Sequence, residues 1–156
     1  MSDTVFDRLH QRLSEAQASF EVIHHVPVYT SEEAAAVRGE SLSAGAKALI
    51  VKVDDRFVMF VMPADRKLEG KRVKQALRVK SVRFATREEV ETLTGLQPGS
   101  IPPFGSLFQL VTYVDPALGL NERIFFNAGD HSISIALPHE EYLRVEQPIA
   151  VVVTGS

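Results

Sequence analysis

The sequence contains no cysteine, which removes disulfides, zinc–thiolate centres and cysteine nucleophiles together. A reducing compartment is compatible with that absence. No apolar stretch approaches the ~18 consecutive residues a membrane-spanning helix needs. The opening, MSDTVFDRLHQRL, carries acids and lacks the apolar run of a secretory signal. There is no phosphate loop, no GxGxxG and no Ser/His/Asp arrangement. His24 and His25 are adjacent, so on a strand they point to opposite faces, and no suitably spaced carboxylate completes a metal set. The expectation is one domain over residues 1–156, cytoplasmic, with no membrane contact, no metal and no cofactor.

What is present suffices for one core. Of 156 residues, 45 % are hydrophobic and 24 % charged, close to ordinary globular usage. A net charge of −3 argues against a general nucleic-acid binder. The distribution says more. Between Arg66 and Arg83 lie eight of the 17 Lys and Arg, against the single Glu69. Lys71, Arg72 and Lys74 sit in the middle of this run, on a segment whose Leu68, Val73, Ala76 and Leu77 predict a helix over roughly 67–77. Such a face either is simply solvated or meets phosphates.

Apolar spacing at Val5, Leu9, Leu13 and Ala16 predicts an amphipathic helix over 4–18, and 20–25 reads as a short strand. Thr30 with Glu33, and Thr86 with Glu89, form capping boxes for two more helices, closed by Gly39 and near Gly95. AKALIVKV (46–53) and RFVMFVM (56–62), separated by Asp54-Asp55, predict a hairpin. Strands are further expected at 79–85, 107–114, 122–129, 132–137 and 148–153, with a short helix after Pro138. About seven strands and four helices, interleaved and with a hairpin, predict an α/β or α+β domain around a mixed sheet.

Three stretches can carry chemistry. On a strand, Lys47 shares a face with Leu49, Val51 and Val53. An ammonium at the mouth of a core face must snorkel outward or hold something anionic. PGSIPPFG (98–105) holds three prolines and two glycines in eight residues. Gly99 permits a positive φ or close approach, and Pro102-Pro103 fix φ while removing two donors. The loop is then either a tight connection or a rigid frame aiming the amides of Gly99, Ser100 and Ile101 at an oxyanion. FNAGDHS (126–132) offers Asn127, Gly129 and His131 as pocket groups, or is only a hairpin turn. Asp115, before Pro116, is expected to end its strand.

Taken together, the chain resembles the YbaK/prolyl-tRNA-synthetase-associated editing domains, free-standing aminoacyl-tRNA deacylases. The resemblance spans nearly the whole length: TSEEAAAVRG, GAKALIVKV, SVRFATREEVETLTGLQPGSIPPFG, LVTYVD and FNAGDHSISI. Its most specific parts are Lys47 and the Gly-x-x-x-Pro loop from Gly99 to Pro103. It implies a mixed, barrel-like sheet of six to seven strands flanked by helices. It also implies a pocket for the aminoacylated 3′ end of a mischarged tRNA, whose ester is cleaved by water. By that analogy Lys47 anchors the substrate and Gly99 aims amides at the ester carbonyl. Ser100, Ile101, Pro102, Pro103 and Phe104 would then confine the amino acid, with Asn127, Gly129 and His131 opposite. Lys71, Arg72 and Lys74 would meet the acceptor stem, and an aminoacyl-tRNA synthetase is a further expected partner.

Two departures concern specificity. Some alanine-specific members carry Asn after the lysine and a pocket His in the later strand, where this chain has Ala48 and Asn127. Their specificity does not transfer; a small amino acid (alanine, cysteine or serine) is expected. The rivals are a non-catalytic module binding tRNA or a nucleotide, and a hydrolase of a related ester or thioester. Presence of both Lys47 and Gly99 weighs against the first.

Overall fold

Capping chemistry sets the first boundaries in the computed structural model, which describes residues 4–155. Thr4 Oγ1 accepts from the Asp7 amide at 3.0 Å and Asp7 accepts from the Thr4 amide at 3.2 Å, starting α1 (Val5–Glu15). The boxes at Thr30/Glu33 and Thr86/Glu89 start α2 (Ser31–Arg38) and α4 (Arg87–Thr94) in the same way. Both helices end on left-handed glycines, Gly39 at φ 69° and Gly95 at φ 74°. The basic segment forms α3 (Gly70–Leu77), and α5 (His139–Glu146) follows Pro138.

The described residues form eight strands, β1 (Glu21–His24), β2 (Ala46–Val53), β3 (Arg56–Pro63), β4 (Val82–Phe84), β5 (Thr112–Val114), β6 (Arg123–Asp130), β7 (Ile133–Pro138) and β8 (Ile149–Ala150). They build a five-stranded sheet in the order β4-β2-β3-β5-β8 and a three-stranded sheet in the order β1-β7-β6. The expected hairpin is β2–β3, antiparallel from Ala46↔Pro63 to Val53↔Arg56. β5 pairs parallel with β3 and with β8, so the large sheet is mixed. A parallel bridge between Gly45 and Phe125 joins the two sheets at the start of β2. The fold is the expected mixed α/β arrangement flanked by helices, in two joined sheets and not as one closed barrel.

Strand alternation divides the core in two. Ala46, Ile50, Met59, Val61 and Val114 face α1 and the small sheet, packing with Leu9, Leu13, Phe126 and Ile135. Val51, Val53, Val58, Phe60 and Met62 face the other way, onto Val73 of α3 and Val153.

Three expected strands are much shorter than their runs; that at 79–85 keeps only Val82–Phe84. In 107–114 only Thr112–Val114 is strand. Before it, the Gly105 amide donates to Thr112 Oγ1 at 2.9 Å and Leu110 N–H to the Gly105 carbonyl at 2.9 Å. That closes a loop in which Phe108 fills the core without a pairing partner. In 148–153 only Ile149 and Ala150 are strand. Beyond them Asp115 takes over: its carboxylate accepts from the amides of Val153 and Thr154, both at 3.0 Å, and from Thr154 Oγ1 at 2.9 Å. Asp115 thus ends β5 and also ties down the C-terminal segment.

Candidate active site

The joint between the sheets leaves a cavity of about 170 Å³. One wall is the start of α2, with Tyr29, Thr30 and Ser31 at its rim and Ala34, Ala35 and Arg38 behind. The residues from Gly45 to Leu49, entering β2, form a second wall. Gly99 and Ile101 of the proline loop and Phe125 and Asn127 of β6 complete it. Small apolar side chains (Ala34, Ala35, Ala46, Ala48) keep it open, and few polar groups converge on it.

Lys47 lines this cavity at the head of the row that continues through Val51 and Val53. Its Nζ donates to the Arg66 carbonyl at 2.7 Å. An ammonium has three protons, so two remain for a ligand. Burial pushes its pKa below the ordinary lysine value; Asp65 and Glu32 oppose that shift and Lys67 reinforces it. The group is half-buried, partly bonded and poised between acid and base neighbours.

The proline loop is clamped along its length. Gly99 sits at φ 93°, a conformation for which glycine is needed. Its carbonyl accepts from Asn127 Nδ2 at 2.7 Å, and the Ser100 carbonyl accepts from the Gly129 amide at 2.8 Å. Fully buried Tyr142 donates its hydroxyl to the Pro103 carbonyl at 2.7 Å. The Ser100 amide and Oγ both turn back to the Gln97 carbonyl, at 3.2 and 2.8 Å. Of the three amides considered from the sequence, Ser100 is therefore engaged inside the loop. Those of Gly99 and Ile101 find no acceptor among the described residues.

Asn127 is anchored from behind. Its Oδ1 accepts from Arg38 Nη2 at 3.1 Å and lies 3.3 Å from Ser134 Oγ. Arg38 Nε donates to Ser134 Oγ at 2.9 Å and Nη1 to Glu40 Oε1 at 3.1 Å. Both side chains of this ion pair are buried, 4 % and 7 % exposed. Desolvation raises the Glu40 pKa to about 7, against the opposing effect of Arg38 and, more weakly, Arg123. Desolvation likewise lowers that of Arg38.

The structure thus brings Lys47, Gly99, Ile101 and Asn127 to one cavity. Ser100, Pro102, Pro103 and Phe104 are buried behind it; Phe104 packs edge-on to Tyr142 and tilted against Phe126. Gly129 lies against α1 near Val5 and Phe6. His131 packs tilted against Tyr29, ring centroids 4.6 Å apart, with Nδ1 3.0 Å from the Val28 carbonyl. Its Nε2 is buried without a partner among the described residues. Lys71, Arg72 and Lys74 are exposed on α3; Arg72 pairs with Glu69. Tyr29, Thr30, Ser31 and Arg38 were not foreseen at the cavity. Thr30 signals only a helix cap, and Arg38 reads as an ordinary basic residue in a last helical turn.

Residues 25–145 match the aminoacyl-tRNA editing domain. The chain belongs to that family. Its enzyme class is a hydrolase of the aminoacyl-tRNA ester bond. The multifunctional Ser/Thr-tRNA deacylase ProXp-y of Escherichia coli (strain K12) is 34 % identical over 148 residues, covering 89 % of each chain. The proline–tRNA ligase of Bacillus subtilis (strain 168) is 34 % identical over 127 residues, 79 % of this chain but 22 % of that synthetase. The same domain therefore occurs within a prolyl-tRNA synthetase. A crystal structure described as a candidate trans-editing enzyme for prolyl tRNA synthetase superposes with a TM-score of 0.85 at 20 % identity, covering 100 % of both chains. That likeness supports the fold.

Proposed function

We propose that this editing domain acts in trans, freeing a small amino acid (serine first, then alanine or cysteine) from mischarged tRNA. The observation that carries this reading is the convergence of Lys47 and the clamped Gly99 loop on one small cavity. At about 170 Å³ it is well below the roughly 300–1,000 Å³ of pockets that take drug-sized ligands. A small aminoacyl group suits it; a large aromatic one does not. Thr30, Ser31 and Asn127 add polar atoms that suit a hydroxyl-bearing side chain, in keeping with a relative named for Ser/Thr-tRNA.

In this reading the two uncommitted protons of Lys47 Nζ hold the substrate's carbonyl or anionic groups. Water adds to the ester carbonyl carbon. The bond from that carbon to the ribose oxygen then breaks, and the ribose oxygen leaves with a proton. An aminoacyl ester is already activated and has a neighbouring ribose hydroxyl, so no strong side-chain base is required. The protein's task is to fix geometry and to stabilise the developing oxyanion with the free amides of Gly99 and Ile101. Ile101 and Phe125 supply apolar wall, which discriminates a methylene by only about 10- to 200-fold. Overlap among small residues is the expected result.

The partner is the acceptor end of tRNA, with an aminoacyl-tRNA synthetase as a second partner in the cytoplasm. Lys67 is close enough to act on Lys47, so the positive surface running to Lys71 and Lys74 begins beside the cavity. Stem phosphates meeting that surface give salt-sensitive binding. The test is release of free amino acid from purified seryl-, alanyl-, cysteinyl-, prolyl- and phenylalanyl-tRNA. Clearance of the small esters supports the reading; clearance of phenylalanyl-tRNA with the small ones untouched overturns it.

A further inference from the structure

Asn127 holds the Gly99 carbonyl, yet an asparagine amide by itself has no fixed sense. Rotated by half a turn, it would present Oδ1 to the Gly99 oxygen and repel it. Something must hold the oxygen inward. Ser134 is a poor choice, because its one proton is contested. His25 Nδ1 lies 2.7 Å from the Val26 carbonyl and must donate to it. In neutral His25, Nε2 is then an acceptor, and it lies 2.7 Å from Ser134 Oγ, against 3.3 Å from Ser134 to Asn127. The closer contact takes the proton. Arg38 has no such ambiguity, since a guanidinium only donates. Its Nη2, 3.1 Å from Asn127, can be satisfied only by Oδ1.

We propose that Arg38, held in place by Glu40, is a positioning residue that locks the Asn127 amide and through it the aim of the Gly99 loop. Glu40 Oε1 and Ser134 Oγ grip two edges of the guanidinium, leaving Nη2 directed at Asn127. Asn127 Nδ2 then pulls the Gly99 carbonyl toward β6, which fixes the peptide following Gly99. The amides on either side, Gly99 and Ile101, inherit their direction from that peptide. The assignment rests on the deacylase reading for its catalytic consequence, but its structural content stands apart from it.

The test uses the full-length protein with Arg38→Lys, Arg38→Met, Asn127→Ala and the Arg38→Met/Asn127→Ala double variant. Single-turnover rate and KM are measured on seryl-tRNA, and the Gly99 and Ser100 amides are followed by 1H–15N NMR. Arg38→Met is expected to lower the rate about 10- to 100-fold, the scale of an ångström of misplacement, with KM changed less than about 3-fold. The double variant is expected to be no slower than the worse single one, because both cut one chain of contacts. Arg38→Lys keeps a cation beside Glu40, folds, and recovers part of the rate. Gly99 and Ser100 resonances should shift or broaden in Arg38→Met and return toward wild type in Arg38→Lys. Multiplying rate losses, or Gly99 and Ser100 signals unmoved in Arg38→Met, would overturn the proposal. A wild-type protein inert on every charged tRNA would instead overturn the deacylase reading, and the NMR comparison would still decide the positioning role.

Discussion

Replacing Gly99 by Ala separates two effects that usually come together. A methyl group built on Gly99 meets only His131 Cε1, at 3.6 Å, an ordinary contact. Steric exclusion by the protein is therefore not the problem; the backbone is. At φ 93° an alanine is strained by roughly 1–3 kcal/mol. The loop can keep its conformation, and stability then falls by that amount, about 2–4 °C in Tm per kcal/mol for a domain of this size. Alternatively it rotates the peptide, breaking the 2.7 Å bond from Asn127 and turning the free amides away. Loss of one such donor costs roughly 100- to 1,000-fold in turnover. The two outcomes share one strain energy, so a variant that retains its Tm should lose most activity. Single-turnover deacylation of seryl-tRNA beside thermal unfolding reads both quantities. Unchanged Tm with unchanged turnover, or a rise in KM alone, would refute this account of the loop.

Changing Lys71, Arg72 and Lys74 to Glu should weaken tRNA binding and flatten its salt dependence while sparing a minimal seryl-adenosine ester; equal loss on both substrates would detach α3 from the stem. Asp115→Ala should cost roughly 2–4 kcal/mol in urea unfolding, since one carboxylate accepts four hydrogen bonds. Burial works to raise the Asp115 pKa, but its bonds from Ala117, Val153 and Thr154 prevail and leave it lowered. Its stabilisation is therefore present above the unfolded value, near pH 4, and is lost as pH falls through the folded value. Glu40 has the opposite sign: with a folded pKa of about 7, its contribution is full below the unfolded value near 4 and is lost as pH rises toward 7. In chemical unfolding, the stability of wild type relative to Glu40→Gln should decline from about pH 4 to pH 7 and then level off, set against the opposite trend from His139, whose burial lowers its pKa.

Local chemistry was legible wherever it decides structure within a few residues. Thr30 with Glu33 and Thr86 with Glu89 mark two helix starts, Gly39 and Gly95 their ends, and Asp54-Asp55 the hairpin. The Gly99 loop was legible as rigid, because prolines and glycines act on their own backbone. Strand ends were less so: Phe108 is apolar for the core's sake and makes no ladder, so its run overstates β5. Asp115 looks like a strand terminator because its three partners at Val153 and Thr154 lie 38 and 39 residues away. Arg38 was hidden for the same reason. Its partners Asn127 and Ser134 lie 89 and 96 residues along the chain, and only the joining of the two sheets turns a helix-end arginine inward.

The deacylase account depends most on Lys47, the one ammonium among the described residues that lines the cavity. Its replacement by alanine removes the 2.7 Å bond to the Arg66 carbonyl but leaves β2 paired through its backbone. Single-turnover release of serine from seryl-tRNA by wild type and Lys47→Ala, at matched Tm, is the direct test. The account predicts release by wild type and a loss of at least about 100-fold in the variant, the scale of removing one group that stabilises the transition state. Wild-type turnover by Lys47→Ala would contradict it.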